Sequence, residues 1–505
     1  MSAIKEAVLS LFALVSSLIP RSDPVTARAS LPLYLHNTLT GTKDLFTPLS
    51  KGVVKMYNCG PTVYAQQHVG NLSMFVFVDI LRRALEANGF AVRQVINFTD
   101  VGHLVSDGDD GDDKMTKGLK QAKLALTLEN MKKLGKKYAD VFLEDLRTLG
   151  IDTETITFPY ASDYIAAQIA MVRTLEEKGY AYVASKGVYF DTARFPTYGK
   201  LGNIDLSGLK EGARVESDPD KRHPIDFILW KRDEKIGWDS PWGKGFPGWH
   251  IECSAMSHSI LGDQLDIHTG GIEHIPVHHN NEIAQSEAAL GKKPFARFWL
   301  HRAHLQIEGS KIAKSKGNTI YLSDIVSKGF HPLAFRYLLL GSHYRTNASF
   351  TWEALESAQQ AFLRLRRLVD TLPTGGIVPS TFTQRFMERL NDDIDTAGAV
   401  AYLWEVMKDK NLSGADLRAI IVFSGSVLGL GFDSEDAMAR GLWEKIFGSE
   451  VALQDAPQDV RDMVGEREKA RESKDWAQAD ILRDRIEKAG FTLEDAKEGV
   501  RLIRK

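Results

Sequence analysis

Cysteine is scarce: the 505 residues hold two, Cys59 and Cys253. So few thiols exclude a disulfide-stapled secreted scaffold and point to a reducing, cytoplasmic compartment. A single Cys59–Cys253 disulfide is the plain alternative use of the pair. Long apolar runs are lacking too. The N-terminal one, residues 7–19, stops at Pro20 and is too short to span a bilayer, so no membrane partner is expected. With Ala27-Arg28-Ala29 beyond it, it has the outline of a secretory leader, but Lys5 is offset by Glu6 and the basic start is missing. Residues 1–30 read instead as a poorly anchored N-terminal extension. An excess of one charge is also absent, the formal net charge being −3. That neither demands nor excludes nucleic acid, because phosphate contacts depend on local clustering of basic groups. No internal repeat is present, and the length calls for roughly three domains.

What the chain does have is a concentration of metal-ligating side chains. Trp249-His250-Ile251-Glu252-Cys253 is followed by Asp266-Ile267-His268-Thr269-Gly270-Gly271 and by His278-His279-Asn280-Asn281-Glu282. His278 and Glu282 have the i, i+4 spacing that puts two side chains on one helical face. Thiolate, imidazole and carboxylate are ordinary zinc ligands, and a structural site wants a fourth. The other thiol is Cys59, in Met56-Tyr57-Asn58-Cys59-Gly60-Pro61. The expectation is one Zn2+ held by Cys59, Cys253, His278 and Glu282, with substrate recognition as its task. A purely structural zinc is the competing use of the same ligands.

Apolar patterning gives an α/β fold. The first domain opens at residues 31–39. A strand at 53–57 runs into Cys59, and His68-Val69-Gly70-Asn71 precedes a helix over 72–87. Asn88-Gly89 is a C-terminal cap signal, and 92–98 is the next strand, completing a βαβ unit. His68 and Asn71 flank a glycine at a helix N-terminus, an anion site with donors aimed at a phosphate. Either Thr99-Asp100 or the His68 turn lies at the carboxyl edge of the sheet, where ligands bind. The glycine-aspartate run at 107–113 lacks calcium-loop spacing and reads as a solvated loop. Helices are expected over 117–149 and 164–178 and a hairpin over 179–191, with core strands resuming at 225–230 and ending near His301. Lys311-Ile312-Ala313-Lys314-Ser315-Lys316-Gly317-Asn318 is a small basic loop. Residues 332–447 read as helical with a break at 372–379. Ala456-Pro457 marks a linker, and 459–505 is a highly charged module with a thin core.

From about Leu31 to the C-terminus these elements resemble, in order and spacing, the cysteinyl-tRNA synthetases, a family of class I aminoacyl-tRNA synthetases. The resemblance rests on Tyr57-Asn58-Cys59-Gly60-Pro61-Thr62-Val63-Tyr64, His68-Val69-Gly70-Asn71, Asn97-Phe98-Thr99-Asp100 and Ser240-Pro241-Trp242-Gly243. It continues through Pro247-Gly248-Trp249-His250-Ile251-Glu252-Cys253-Ser254-Ala255-Met256, residues 278–282 and residues 311–315. It implies a Rossmann-type catalytic domain over 31–345, with an α+β insertion at about 160–224 and a KIAKS loop at 311–315. A helical tRNA-binding bundle over 346–455 and a small C-terminal anticodon-binding module over 456–505 would follow.

The implied reaction joins L-cysteine and ATP to cysteinyl-adenylate and pyrophosphate, then transfers cysteine to the 3′-terminal adenosine of tRNA(Cys). Mg2+ would come with ATP, and the enzyme would be a monomer. The resemblance assigns zinc to the same four residues, Cys59, Cys253, His278 and Glu282. His68, Gly70, Asn71, Gly270, Gly271, Lys311 and Lys314 fall at ATP-binding positions. His68, Asn71 and the two lysines are the catalytic group among them, the lysines neutralising the departing phosphates. Thr99, Trp249 and Glu273 match the amino-acid pocket, Glu273 standing where the family has Asp. Arg471, Trp476 and Asp480 match the anticodon readers: a cation, a stacking ring and an acceptor. Taken alone, 471–480 reads as an amphipathic helix with its Trp packed inward. Two other functions compete: a mycothiol-type cysteine–amino-sugar ligase, which lacks the C-terminal module, and a non-catalytic tRNA-binding paralogue.

Overall fold

The computed structural model describes residues 31–101, 114–204, 219–307, 310–311, 319–496 and 499–504. The expected extension at 1–30, the acidic loop at 107–113 and Lys314 lie outside them.

Five parallel strands form the central sheet, in the order Ala296–Arg302, Leu265–Gly271, Val53–Asn58, Ala91–Ile96 and Ile156–Thr157. Their carboxyl halves are buried, as expected where helices cover both faces of a parallel sheet. A polar ladder crosses the three middle strands there. Gln94 Nε2 donates to Asn58 Oδ1 (2.8 Å), and Asn58 Nδ2 donates to Thr269 Oγ1 (2.6 Å). The helix Val69–Ala87 links two neighbouring strands, as the βαβ pattern predicts. It stops at Asn88 because Gly89 turns with φ +87°, a conformation that favours glycine. Two further helices, Trp249–Leu261 and His278–Leu290, are almost wholly buried. The second carries His, Asn, Gln and Glu into the interior, so these groups need partners there.

One expectation fails here. Residues 225–230 do not resume the parallel sheet. Phe227–Arg232 pairs antiparallel with Gly187–Phe190 and Gly245–Pro247, and Ala181–Val183 completes a separate four-stranded sheet. The insertion therefore extends past residue 224 to Pro247. Phe227 to Trp230 are four consecutive buried side chains, a pattern that marks a strand covered on both faces without saying in which sheet.

Beyond Pro332 the chain forms helices Pro332–Leu340, Trp352–Thr371, Ser380–Leu390, Thr396–Val406, Gly414–Leu428 and Ala437–Phe447. The expected break falls between the second and third. This bundle shares one hydrophobic core with the central sheet. Arg336, fully buried, is the polar link between them. Its Nε donates to Leu428 O (2.8 Å), its Nη1 to Leu149 O (3.0 Å) and its Nη2 to the Asp79 carboxylate. Arg83 reaches the same carboxylate at 2.8 Å. Gly429 has φ +68° and faces the guanidinium so closely that a Cβ would lie 2.1 Å from Nη2. The C-terminal module has helices Gln458–Glu472 and Trp476–Lys488 and a three-stranded antiparallel sheet that its charged sequence did not disclose. Its core is small, built on Val460, Val464, Ile486, Phe491, Leu493 and Leu502.

Candidate active site

Four chain segments meet at the carboxyl ends of the middle strands. Cys59 follows Val53–Asn58 and is held by its N–H to Thr269 O (3.1 Å). Cys253 lies in the second turn of Trp249–Leu261, and His278 and Glu282 share one face at the start of His278–Leu290. The ligand atoms of Cys59, Cys253, His278 and Glu282 all lie within 4.8 Å of one another, and all four residues are buried. His278 Nδ1 contacts His250 Nδ1 (2.7 Å), which turns Nε2 toward Glu282 Oε1 at 3.0 Å. Among the described residues that Nε2 makes no well-aligned hydrogen bond. Two thiols, an imidazole and a carboxylate around such an atom fit a zinc-sized ion.

The electrostatics agree with a ligand set. Burial works to raise the Glu282 carboxyl, but His268 and His278 outweigh it and hold the group well below the usual carboxylate range. Burial opposes protonation of His278, yet Glu282 and Cys253 raise it to about 10. The hydrogen bond from Cys59 lowers Cys253 to about 6, whereas burial pushes Cys59 well above an ordinary thiol. One thiol and the imidazole thus carry protons that a metal must displace.

The sequence marks a concentration of imidazoles here but, apart from His278, gives them no place in the metal set. Cys59, His268, His279 and Glu282 form a second set within 4.8 Å. His268 Nε2 lies 2.9 Å from Glu282 Oε2, Cys59 Sγ 3.3 Å from His279 Nε2, and His279 Nδ1 2.7 Å from His301 Nε2. Burial drives His250, His274 and His279 well below the ordinary histidine range and His301 to about 3. The clue was the count of histidines between 250 and 301, of which only His278 entered the metal reading.

The remaining expected residues are placed as follows. His68 is the N-cap of Val69–Ala87, its Nδ1 accepting from Asn71 N–H (3.2 Å), so a neutral ring carries its proton on Nε2. Gly70 is in the first helical turn, and the Asn71 side chain is exposed. Gly270 and Gly271 end the strand Leu265–Gly271. A Cβ on Gly270 would lie 2.5 Å from His274 Nδ1, and one on Gly271 2.3 Å from Glu273 Oε2. The two glycines thus admit the close approach of neighbouring side chains. Trp249 lies with its ring centroid 4.2 Å from that of His278. Thr99 Oγ1 donates to Glu252 Oε2 (2.8 Å). Glu273 is half exposed, 3.7 Å from His304 Nδ1. Lys311 is on the short strand Ser310–Lys311. In the C-terminal module Arg471 ends one helix while Trp476 and Asp480 occupy the first turns of the next. Trp476 is 58% exposed, so the inward packing of an amphipathic helix is wrong for it.

A parallel sheet with a helix N-terminus and a buried Cys/His/Glu cluster at its carboxyl edge defines a nucleotide-binding α/β enzyme. The family model of the tRNA synthetases class I (C) catalytic domain matches residues 45–360, and the chain is a class I tRNA synthetase. A solved Mycobacterium tuberculosis methionyl-tRNA synthetase bound by methionyl-adenylate shares the fold. Its TM-score is 0.50 and its identity 14%, over 78% of this chain and 91% of that one. Among curated relatives, cysteine–tRNA ligase 1 of Burkholderia lata is 45% identical over 94% of this chain and 97% of its own length. The cysteine–tRNA ligase of Treponema denticola is 37% identical over 92% and 98%, and that of Chlorobaculum tepidum 40% over 92% and 98%. The chain belongs to the cysteine–tRNA ligase family.

Proposed function

We propose that this protein activates L-cysteine with ATP, releasing pyrophosphate, and transfers the cysteinyl group to the 3′-terminal adenosine of tRNA(Cys). It does so as a cytoplasmic monomer. Among the described residues no helix is long and apolar enough to cross a membrane. The observation that carries the reading is the meeting of Cys59, Cys253, His278 and Glu282 within 4.8 Å, at the same sheet edge as the His68 turn.

Cys59, Cys253, His278 and Glu282 would hold one Zn2+, which when bound supplies a soft Lewis acid for a substrate thiolate. Serine differs from cysteine by one atom, and a shape-matched pocket separates such a pair by only about 1–3 kcal/mol. Soft-ligand selection makes up the difference without an editing step. Trp249, its ring tilted 36° against that of His278, closes the pocket wall. ATP, carrying Mg2+, lies along the carboxyl edge. His68 offers Nε2–H and the first turn its backbone N–H groups to the phosphates, with Asn71 beside them. Gly270 and Gly271 let the strand end approach the nucleotide, while Lys311 and Lys314 neutralise the pyrophosphate as it leaves. The cysteine carboxylate is the nucleophile, so no side chain need act as general base. Arg471, Trp476 and Asp480 read the anticodon.

ATP–pyrophosphate exchange with cysteine and with serine tests activation. Charging of a tRNA(Cys) transcript tests transfer. Exchange should depend on cysteine and on bound zinc. Equal exchange with serine, or exchange without charging, would sink the reading.

A further inference from the structure

Residues 114–137 hold eight lysines against a single carboxylate, Glu129, in a chain whose formal net charge is −3. Two helices carry most of them, Lys114–Gln121 and Leu128–Thr148. The helices pack together through Met115, Leu119, Met131 and Leu134, and every lysine of the stretch except Lys114 is left exposed. Lys132 and Lys136, and again Lys133 and Lys137, are like charges at i, i+4, a spacing that works against the helix. Carboxylates answer only part of this charge. Asp163 lies 3.7 Å from Lys132 and Asp140 3.0 Å from Lys136, whereas Lys117, Lys123 and Lys133 make no ion pair among the described residues.

The location is specific. A Cβ on Gly118 would lie 2.9 Å from Tyr64 O, and one on Gly135 2.8 Å from Asp100 Cβ. These two glycines seat both helices on the segments that follow Val53–Asn58 and Ala91–Ile96, at the carboxyl edge of the sheet. Lys114 Nζ lies 5.6 Å from the centroid of the Trp249 ring, so the lysine face adjoins the candidate active site. Residue type then narrows the partner. Residues 114–137 contain no arginine, and so lack the planar forks that read base edges or clamp a phosphate at two points. Lysines on flexible stems supply point charges, which suit a sugar–phosphate backbone held without regard to sequence. Of ATP, L-cysteine and tRNA, only tRNA is a polyanion long enough to cover two helices, and its 3′ end must reach this edge for transfer.

We propose that the exposed lysines of residues 114–137 bind the phosphate backbone of the tRNA acceptor arm and guide its 3′ end to the active site. The inference rests on the tRNA-charging function proposed above. It adds to that function a contact surface on the catalytic domain, separate from the helical bundle and from the C-terminal module.

The test combines Lys117→Gln, Lys123→Gln and Lys133→Gln in the full-length, zinc-loaded protein. All three side chains are exposed, so the fold should survive their loss. Binding is measured across a salt series for two RNA hairpins, the acceptor stem of tRNA(Cys) with its 3′ end and the anticodon stem-loop. Each phosphate contact adds nearly one to the slope of log K against log salt, so the acceptor-stem slope should fall by roughly 2–3 in the triple variant. Inverting a base pair of that stem should leave the fall unchanged, and anticodon binding and tRNA-free pyrophosphate exchange should not move. An unchanged acceptor-stem slope would overturn the proposal, the lysines then answering charges of the chain itself, the aspartates at 107–113 foremost. An equal fall for both hairpins would overturn it too, because the face would then be no more than a general attraction for RNA. A wild-type protein that exchanges pyrophosphate with cysteine but charges no tRNA(Cys) transcript would refute the underlying function instead.

Discussion

Trp476→Ala separates recognition from folding. The indole is 58% exposed at the start of Trp476–Lys488, a helix capped by Asp475, whose carboxylate accepts from Gln478 N–H at 3.1 Å. Lys474, with φ +63°, makes the turn from the preceding helix, whose last turn carries Arg471. More than half of the residue already faces water, so removing the ring should move unfolding stability by no more than about 0.5 kcal/mol. Stacking of an unpaired base on an aromatic ring is worth roughly 1–3 kcal/mol. At ~1.4 kcal/mol per tenfold, that predicts a loss of about 5- to 150-fold in kcat/KM for tRNA. The assay pairs charging kinetics on a tRNA(Cys) transcript with tRNA-free pyrophosphate exchange and a urea titration. Charging should fall by that factor, with exchange and the urea midpoint unmoved, and Trp476→Phe should recover most of the loss. Charging within twofold of wild type would refute the reasoning, as would a midpoint shift large enough to show that the ring supports the module's core.

Cys59→Ser should strip the metal and abolish cysteine-dependent exchange, since a hydroxyl is a poor replacement for a thiolate; elemental analysis of the purified variant checks it. Asp145→Asn should stabilise the protein near neutral pH. Burial raises this carboxyl from 3.8 to about 6 despite a hydrogen bond from Gln66, so its favourable contribution is present below pH 3.8 and lost as pH rises through about 6. After allowance for its partial exposure the gain is roughly 1 kcal/mol at pH 7.5 and nil at pH 3.5, measured by chemical denaturation at both. Arg336→Met leaves Asp79 with Arg83 alone and two carbonyls unpaired, and should cost about 3 kcal/mol in the same measurement.

The βαβ unit was legible because Val53–Asn58, Val69–Ala87 and Ala91–Ile96 each carry a distinct period, with Asn88-Gly89 to punctuate them. The four converging residues were legible through ligand chemistry, which needs no knowledge of the path joining them. Sheet membership was not. Phe227 to Trp230 look alike in either sheet, and strand pairing is decided by partners distant in sequence. The C-terminal strands Phe491–Ala496 and Gly499–Arg504 were hidden by their charged residues. Trp476 was misjudged when read by helical period alone, because the left-handed Lys474 splits what looked like one helix into two. In the sequence Glu252 is an ordinary letter in a motif, and its hydrogen bond from Thr99 is visible only in the structure.

Both sulfhydryls of the chain sit inside one sphere less than 5 Å across, at 7% and 1% exposure. A thiol-counting dye therefore has a single address in this molecule. With the proposed zinc in place, its uptake as chelator is added would report how much of the sample has lost the ion. An oxidant that joins the two sulfurs would remove two of the four proposed zinc ligands in the same event.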